Sequence, residues 1–246
     1  MNAVLLAGGR AEDPLARAFG APSKGFVPLA GRPMAAWVAE ALRAGGVERL
    51  VLVAPEAAPS LGEDERILDR GSLLENVAAG LRAAGAGPVL VAAADAPLIP
   101  AEAVRFVARA EPGAAFVYPI VPRAAVEARW PGMRRTYARL KEGSFTGGNL
   151  MRLDPELFFE AEPLIARLIA LRKRPLALAR LVGLDVLFKL LIGRLSVAEL
   201  EARAKRIIQV PVKAVVAAYP EIGVDADNPE DLLFFERELE AKVAHG

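Results

Sequence analysis

The chain has 246 residues, 54% of them hydrophobic, with 31 Lys+Arg against 30 Asp+Glu and a formal net charge of +1. That is enough for one sizeable core, and the even charge gives no electrostatic reason to expect bulk nucleic-acid binding. Cysteine is absent and the only histidine, His245, sits where the chain is expected to fray. This excludes a disulfide framework, a thiol nucleophile, a Ser-His-Asp triad and a zinc held by thiolate or imidazole, so any metal must be held by oxygen, as magnesium or manganese is.

The first residues, Met1-Asn2-Ala3-Val4, carry no basic leader and no long apolar region. No signal peptide is expected, and a cytoplasmic location is. Ala3-Val4-Leu5-Leu6, closed by Gly8-Gly9, reads as a buried parallel strand. Pro33 to Ala44 reads as a helix with Pro33 in its first turn and Gly45-Gly46 stopping it. Leu50 to Val53 is a second strand, ended by Pro55, and Ser72 to Ala84 a helix with Ser72 as N-cap and Glu75 three residues on. Pro88 to Ala93 is a third strand, Ala101 to Ala110 a helix, Ala114 to Ile120 a strand, and Phe145 to Leu153 a further strand.

From Pro155 to about Gln209 the chain turns rich in Leu, Ala and Arg at helical spacing, with Ser196 and Glu199 as a capping box, and reads as a helical insertion. Its most apolar part, Pro163 to Val197, is interrupted by eight charges, so no membrane span is expected. Val210 to Ala218 returns to strand and Pro229 to Ala244 closes as an amphipathic helix. Alternating strands and helices predict an α/β fold, a three-layer doubly wound, mostly parallel sheet forming one domain over 1–246 with the insertion at 155–209 inside it. Ligands of such sheets bind outside the carboxyl ends of the strands, where Gly8-Gly9 and Asp95 both fall.

Glycines in Leu6-Ala7-Gly8-Gly9-Arg10 let the backbone come close to a phosphate or a base. An isolated pair of glycines also makes an ordinary tight turn. The loop is neither the Gly-x-Gly-x-x-Gly of dinucleotide binding nor a P-loop. A lysine follows in Pro22-Ser23-Lys24-Gly25-Phe26-Val27-Pro28-Leu29-Ala30-Gly31-Arg32-Pro33-Met34. In Ala93-Ala94-Asp95-Ala96-Pro97 a carboxylate stands at the end of a buried strand, costly unless paired or metal-bound, with N-capping as its plainer explanation.

The order Leu-Ala-Gly-Gly-Arg, Lys, then Val-Pro-Leu-x-Gly-Arg-Pro-Met resembles nucleotidyltransferases of the sugar-phosphate and cofactor type. The molybdenum-cofactor guanylyltransferase and cytidylyltransferase branch is the most similar. The resemblance covers about the first hundred residues well and the last thirty moderately. It implies that Leu6, Ala7, Gly8 and Gly9 face the base and phosphates of a nucleoside triphosphate, and that Arg10 and Lys24 neutralise the triphosphate. Gly71 and Ser72, in Asp69-Arg70-Gly71-Ser72, lie beside the base, although Ser72 reads equally as a helix cap. Asp95 holds Mg2+. Gly223-Val224-Asp225-Ala226-Asp227-Asn228-Pro229-Glu230-Asp231 matches the family's C-terminal Asp-Thr-Pro-Glu-Asp-Leu with Asn228 for threonine. By that match Asp227 is the second metal ligand. Asp225, on the same side of an extended chain, is the alternative, and N-capping of the last helix by Asp227 or Asn228 is the structural one.

Gly148 and Asn149, in Thr146-Gly147-Gly148-Asn149, are implied to meet the acceptor, with a simple turn as an equal contender. Arg134, Arg135 and Lys141 read as surface charges more readily than as acceptor contacts. The implied reaction moves an NMP from the triphosphate to a small phosphorylated acceptor, with pyrophosphate released. The acceptor is already ionised, so no general base is required. The Leu-rich insertion offers a face for a homodimer. A degenerate nucleotide-binding module and a nucleotide-sugar glycosyltransferase are the rival readings.

Overall fold

The computed structural model describes residues 1–9, 12–171 and 181–245. Four short apolar strands build the parallel part of the sheet. They are β1 (Asn2–Leu6), β4 (Arg49–Ala54), β5 (Glu65–Leu68) and β6 (Val89–Ala93), in the order β5-β4-β1-β6. The runs of Val, Leu and Ala in β1, β4 and β6 are buried on both faces, as a sheet covered by helices requires, while β5 is a half-buried edge strand. Alternate residues of β1 enter different cores: Ala3 and Leu5 pack with α2 (Met34–Ala44) and α4 (Ala101–Arg109), and Val4 packs with α3 (Leu73–Ala84). Helices therefore cover both faces of a doubly wound α/β sheet.

Close approach of α3 to the sheet depends on Gly80. A Cβ there would stand 2.4 Å from Val4 Cγ1 and 3.2 Å from Val53 Cγ2. Strand β6 pairs on its far side with β10 (Leu150–Leu153), which runs antiparallel to it and to β7 (Phe116–Pro122). β7 also pairs antiparallel with β9 (Gly143–Gly147) and parallel with β11 (Val212–Val216), and β9 forms a hairpin with β8 (Ala138–Leu140).

The predicted strand Phe145 to Leu153 is thus two, β9 and β10, broken at Gly148-Asn149. The break has a local cause. Gly148 N–H donates to Pro119 O at 2.9 Å and Asn149 N–H to Ile222 O at 2.8 Å, so the C-terminal loop is wedged in where the ladder would have continued. A Cβ on Gly148 would lie 2.6 Å from Ile222 Cγ2.

Elements without a sequence expectation are α1 (Pro14–Ala18), β5, β3 (Arg32–Pro33), which forms a ribbon with β2 (Pro28–Leu29), α5 (Arg123–Arg129) and β8. Between β10 and β11 stand α6 (Pro155–Leu171), α7 (Leu184–Leu191) and α8 (Val197–Ile208). The Ser196–Glu199 capping box at the start of α8 is present in both directions. Helix α9 (Pro229–His245) closes the chain, with Phe235 and Leu239 buried on the α2 side of the sheet. No described helix is long and apolar enough to cross a membrane.

Candidate active site

The carboxyl ends of β1 and β6 carry two loops that meet. After β1 the chain runs straight into Gly8 and Gly9, and Asp69 holds them from the other side. Its carboxylate accepts from Gly9 N–H and from Gly71 N–H, each at 2.8 Å, and from Asn76 Nδ2 at 2.7 Å. Burial would raise the Asp69 carboxyl, but these three donors outweigh it and hold the group below its ordinary range. The packing leaves no room for a side chain at Gly8, where a Cβ would be 2.7 Å from Asn76 Nδ2 and 2.9 Å from Asp69 Cγ. Gly9 adopts φ +141°, a conformation that other residues rarely take.

These residues line a cavity of about 240 Å3 whose walls include Leu6, Gly8, Gly9, Gly71, Ser72 and, at one end, Lys24 and Asp95. Most of the base and phosphate contacts implied by the resemblance therefore share one space. Ala7 is buried beneath it, and its carbonyl accepts from the buried Ser23 hydroxyl at 2.5 Å, which sets the lysine loop against β1. Gly25 then packs at Ala94, where a Cβ would come within 2.7 Å. Ser72 is also the N-cap of α3, accepting from Glu75 N–H at 3.3 Å, so the capping role and the place in the cavity coexist. Arg10 lies outside the described residues.

Lys24 is the hub of the charged end. Its Nζ lies 2.6 Å from Asp95 Oδ2, 3.0 Å from Asp227 Oδ1 and 4.0 Å from Asp225 Oδ2. Burial works to lower the ammonium, yet the Asp95 and Asp227 carboxylates more than offset it and the group is held above the ordinary lysine range. Asp227 moves the other way: burial raises it, and the hydrogen bond and charge of Lys24 bring it below the usual carboxylate range.

Asp225 is pushed up to about 6, first by burial and then by the charges of Asp95 and Asp227. The backbone fixes this arrangement, since Ala226 N–H donates to Asp95 O at 2.9 Å. N-capping of α9 falls to Asn228, whose Oδ1 accepts from Asp231 N–H at 3.1 Å, while Asp231 Oδ2 accepts from Asp227 N–H at 2.9 Å.

Arg135 corrects the expectation of a surface charge. Its side chain is only 6% exposed and faces Asp227 at 3.6 Å, Asp231 at 3.7 Å and Asp225 at 3.9 Å, while also donating to Asp225 O. Nothing in the sequence around Arg134-Arg135 announces this, because its partners lie some 90 residues on. Asp69 and Asn76 were equally without a role in the sequence, although Asp69 adjoins the Gly71-Ser72 segment.

Gly148 and Asn149 do not line the cavity. Asn149 O accepts from Ala93 N–H at 2.8 Å and its Nδ2 donates to Ile222 O at 3.2 Å, so Asn149 joins β6 to the C-terminal loop, while Gly148 is bonded to β7.

The donor set suits a hard cation. Four carboxylates, Asp95, Asp225, Asp227 and Asp231, face two cations, Lys24 and Arg135, an excess of two negative charges. The Asp225 carboxyl is raised first by burial, and the neighbouring Asp95 and Asp227 charges add to it. No three ligating side chains among the described residues converge into a ready-made metal cage. Magnesium does not need one, because it is usually bound by one or two carboxylates with water and substrate phosphates.

The family model of the MobA-like NTP transferase domain matches residues 3–189. A hypothetical transferase from Thermus thermophilus is 55% identical, with TM-score 0.88 over 94% of this chain and 100% of that one. The fold also recurs at low identity. A 2-C-methyl-D-erythritol 4-phosphate cytidylyltransferase from Thermus thermophilus is 18% identical, with TM-score 0.58 over 96% and 98% of the two chains. A nucleotidyl transferase from Methanothermobacter thermautotrophicus is 18% identical, with TM-score 0.60 over 98% of each. None of the curated proteins matches the chain.

Proposed function

The chain belongs to the MobA-like NTP transferase domain family and is a nucleotidyltransferase; from that premise we propose that it moves an NMP from a nucleoside triphosphate to a phosphorylated small molecule and releases pyrophosphate. The observation that carries this reading is the Lys24–Asp95–Asp227 cluster at the end of a glycine-walled cavity. The base and ribose lie along Leu6 to Gly9 and Gly71-Ser72, with Asp69 keeping the two loops at fixed separation. Lys24 and Arg10 meet the triphosphate, and the ammonium stabilises charge that builds on the departing pyrophosphate. An acceptor phosphate is already an anion, so its oxygen attacks the α-phosphorus without a base. Catalysis then rests on alignment and electrostatics.

Asp95 and Asp227 would hold Mg2+, with Asp225 beside them, and the ion would supply Lewis-acid neutralisation of the phosphate oxygens. Gly148 and Asn149 are proposed to border the acceptor space from the break between β9 and β10. The chain would act as one domain with 155–209 as an insertion, in the cytoplasm, where nucleoside triphosphates are made. Leu184, Phe188 and Leu191, exposed on α7, would pair with a second copy. Light scattering should then show a dimer that Phe188→Glu dissociates.

Asp95→Ala tests the central assignment. Pyrophosphate release should fall on the order of 100- to 1,000-fold, with the melting temperature little changed. Near-wild-type release would sink the metal and lysine roles together.

A further inference from the structure

A second cavity adjoins the nucleotide space and lacks the charged and polar lining, Lys24, Asp69, Ser72, Asn76 and Asp95, that the first one has. Its volume is about 410 Å3, within the roughly 300–1,000 Å3 of small-molecule sites. It lies between the sheet, α3 and the inserted helices α6 and α8, with walls that include Val77, Met151, Ile165 and Ile207. Arg203 is the one polar residue among its described wall residues, and its guanidinium is turned to Asp185 at 2.7 Å. Leu6 and Leu73 belong to the walls of both cavities, so the two adjoin at the end of β1 and the start of α3.

An apolar hollow of this size is a standing cost, because the loss of contacts grows with volume and, among its described wall residues, only Arg203, engaged with Asp185, could hold water. The nucleotide itself has nothing to place in it, since triphosphate, ribose and base edges all seek polar partners. From this we infer that the acceptor is an amphiphile, a phosphate ester carrying a hydrocarbon chain, and that the chain occupies this cavity.

The inference rests on the nucleotidyl-transfer reading and names its acceptor class. The acceptor's phosphate oxygen bonds to the α-phosphorus as the bond from that phosphorus to the bridging oxygen breaks. The electron pair leaves with pyrophosphate, and the product is a nucleoside diphosphate esterified to the chain. The helices of the insertion, which supply the outer wall, are thereby given a substrate-binding role.

The test uses the full chain with butyl, octyl and dodecyl phosphate below their micelle-forming concentrations, and inorganic phosphate as the chainless control. Affinity should tighten by up to about fourfold per added CH2 until the cavity is filled. Pyrophosphate release with NTP and magnesium should rise along the same series. Ala204→Trp, which adds a ring to the wall, should abolish the chain-length dependence and leave the melting shift caused by NTP intact. Ile207→Trp serves the same purpose should the first variant fail to fold.

Equal affinity for all four phosphates, or a dependence that survives both wall variants, overturns the inference. So does tight chain binding with pyrophosphate release no greater than inorganic phosphate gives. The underlying reading fails separately, by the absence of a melting shift with any NTP plus magnesium before an alkyl phosphate is added.

Discussion

Asp225 is held where ionisation is unfavourable, buried and flanked by two other carboxylates, and its proton is therefore bound more tightly in the folded chain than in the unfolded one. Its pKa rises from 3.8 to about 6. The sign follows: this group's stabilising contribution is complete below pH 3.8 and is lost as pH rises through about 6. Asp225→Asn should flatten that part of the stability profile. It should also stabilise the ligand-free protein at pH 7 by on the order of 1 kcal/mol, seen as a higher melting temperature. A melting series from pH 4 to 7 on both proteins checks it, and a lower melting temperature for the variant at pH 7 would contradict the assignment. Arg135 has the opposite task. Removing it leaves the buried Asp231 and the half-buried Asp225 without their nearest cation, so Arg135→Ala should cost up to about 3 kcal/mol in urea unfolding. Arg135→Lys should recover only part of this, because one ammonium cannot spread over three carboxylates as a guanidinium does.

Among the elements, α3 does two jobs, and both depend on small side chains. Its first turn brings Ser72 to the nucleotide cavity and its third lies flat on β1 at Gly80. Alanine is the better helix former by about 1 kcal/mol. Here, however, the added methyl meets Val4 and Val53, and overpacking costs about 1–3 kcal/mol. Gly80→Ala should therefore destabilise on balance, by about 1 kcal/mol in chemical denaturation, and should weaken nucleotide binding by shifting Ser72.

Such contacts explain what could be read from the chain in advance. β1, β4, β6, α2, α3 and α4 are continuous patterns with their own stop signals, and so were legible. The lysine loop, Asp95 and Asp227 were legible because each stands in a contiguous motif. β5 is a half-buried edge strand of four residues, and β8 is shorter still, so neither carries enough periodicity to announce itself. The break at Gly148-Asn149 is set by Ile222, and the place of Arg135 by Asp231, partners that no local window contains.

For the molecule as a whole, ligand binding and stability are linked. A nucleoside triphosphate at a hundred times its Kd should stabilise the fold by about 2.7 kcal/mol. In a chain of this length that is a rise of roughly 5–10 °C in melting temperature. Screening the four NTPs with magnesium should show the preferred base as the largest rise, and Lys24→Ala should remove most of it. Four equal shifts would mean that the cavity does not read the base.

The charged end of the site also sets a schedule for synthesis. Lys24 and Asp227 touch across 203 residues of sequence, and Asp95 is bonded to Ala226 through the backbone. A nascent chain emerging from the ribosome can therefore complete β1, β6 and the glycine cradle long before the last carboxylates arrive. Half-made protein would hold nucleotide at most loosely and could not turn it over. Activity would begin abruptly, only once the loop from Gly223 to Asp231 has closed over Lys24.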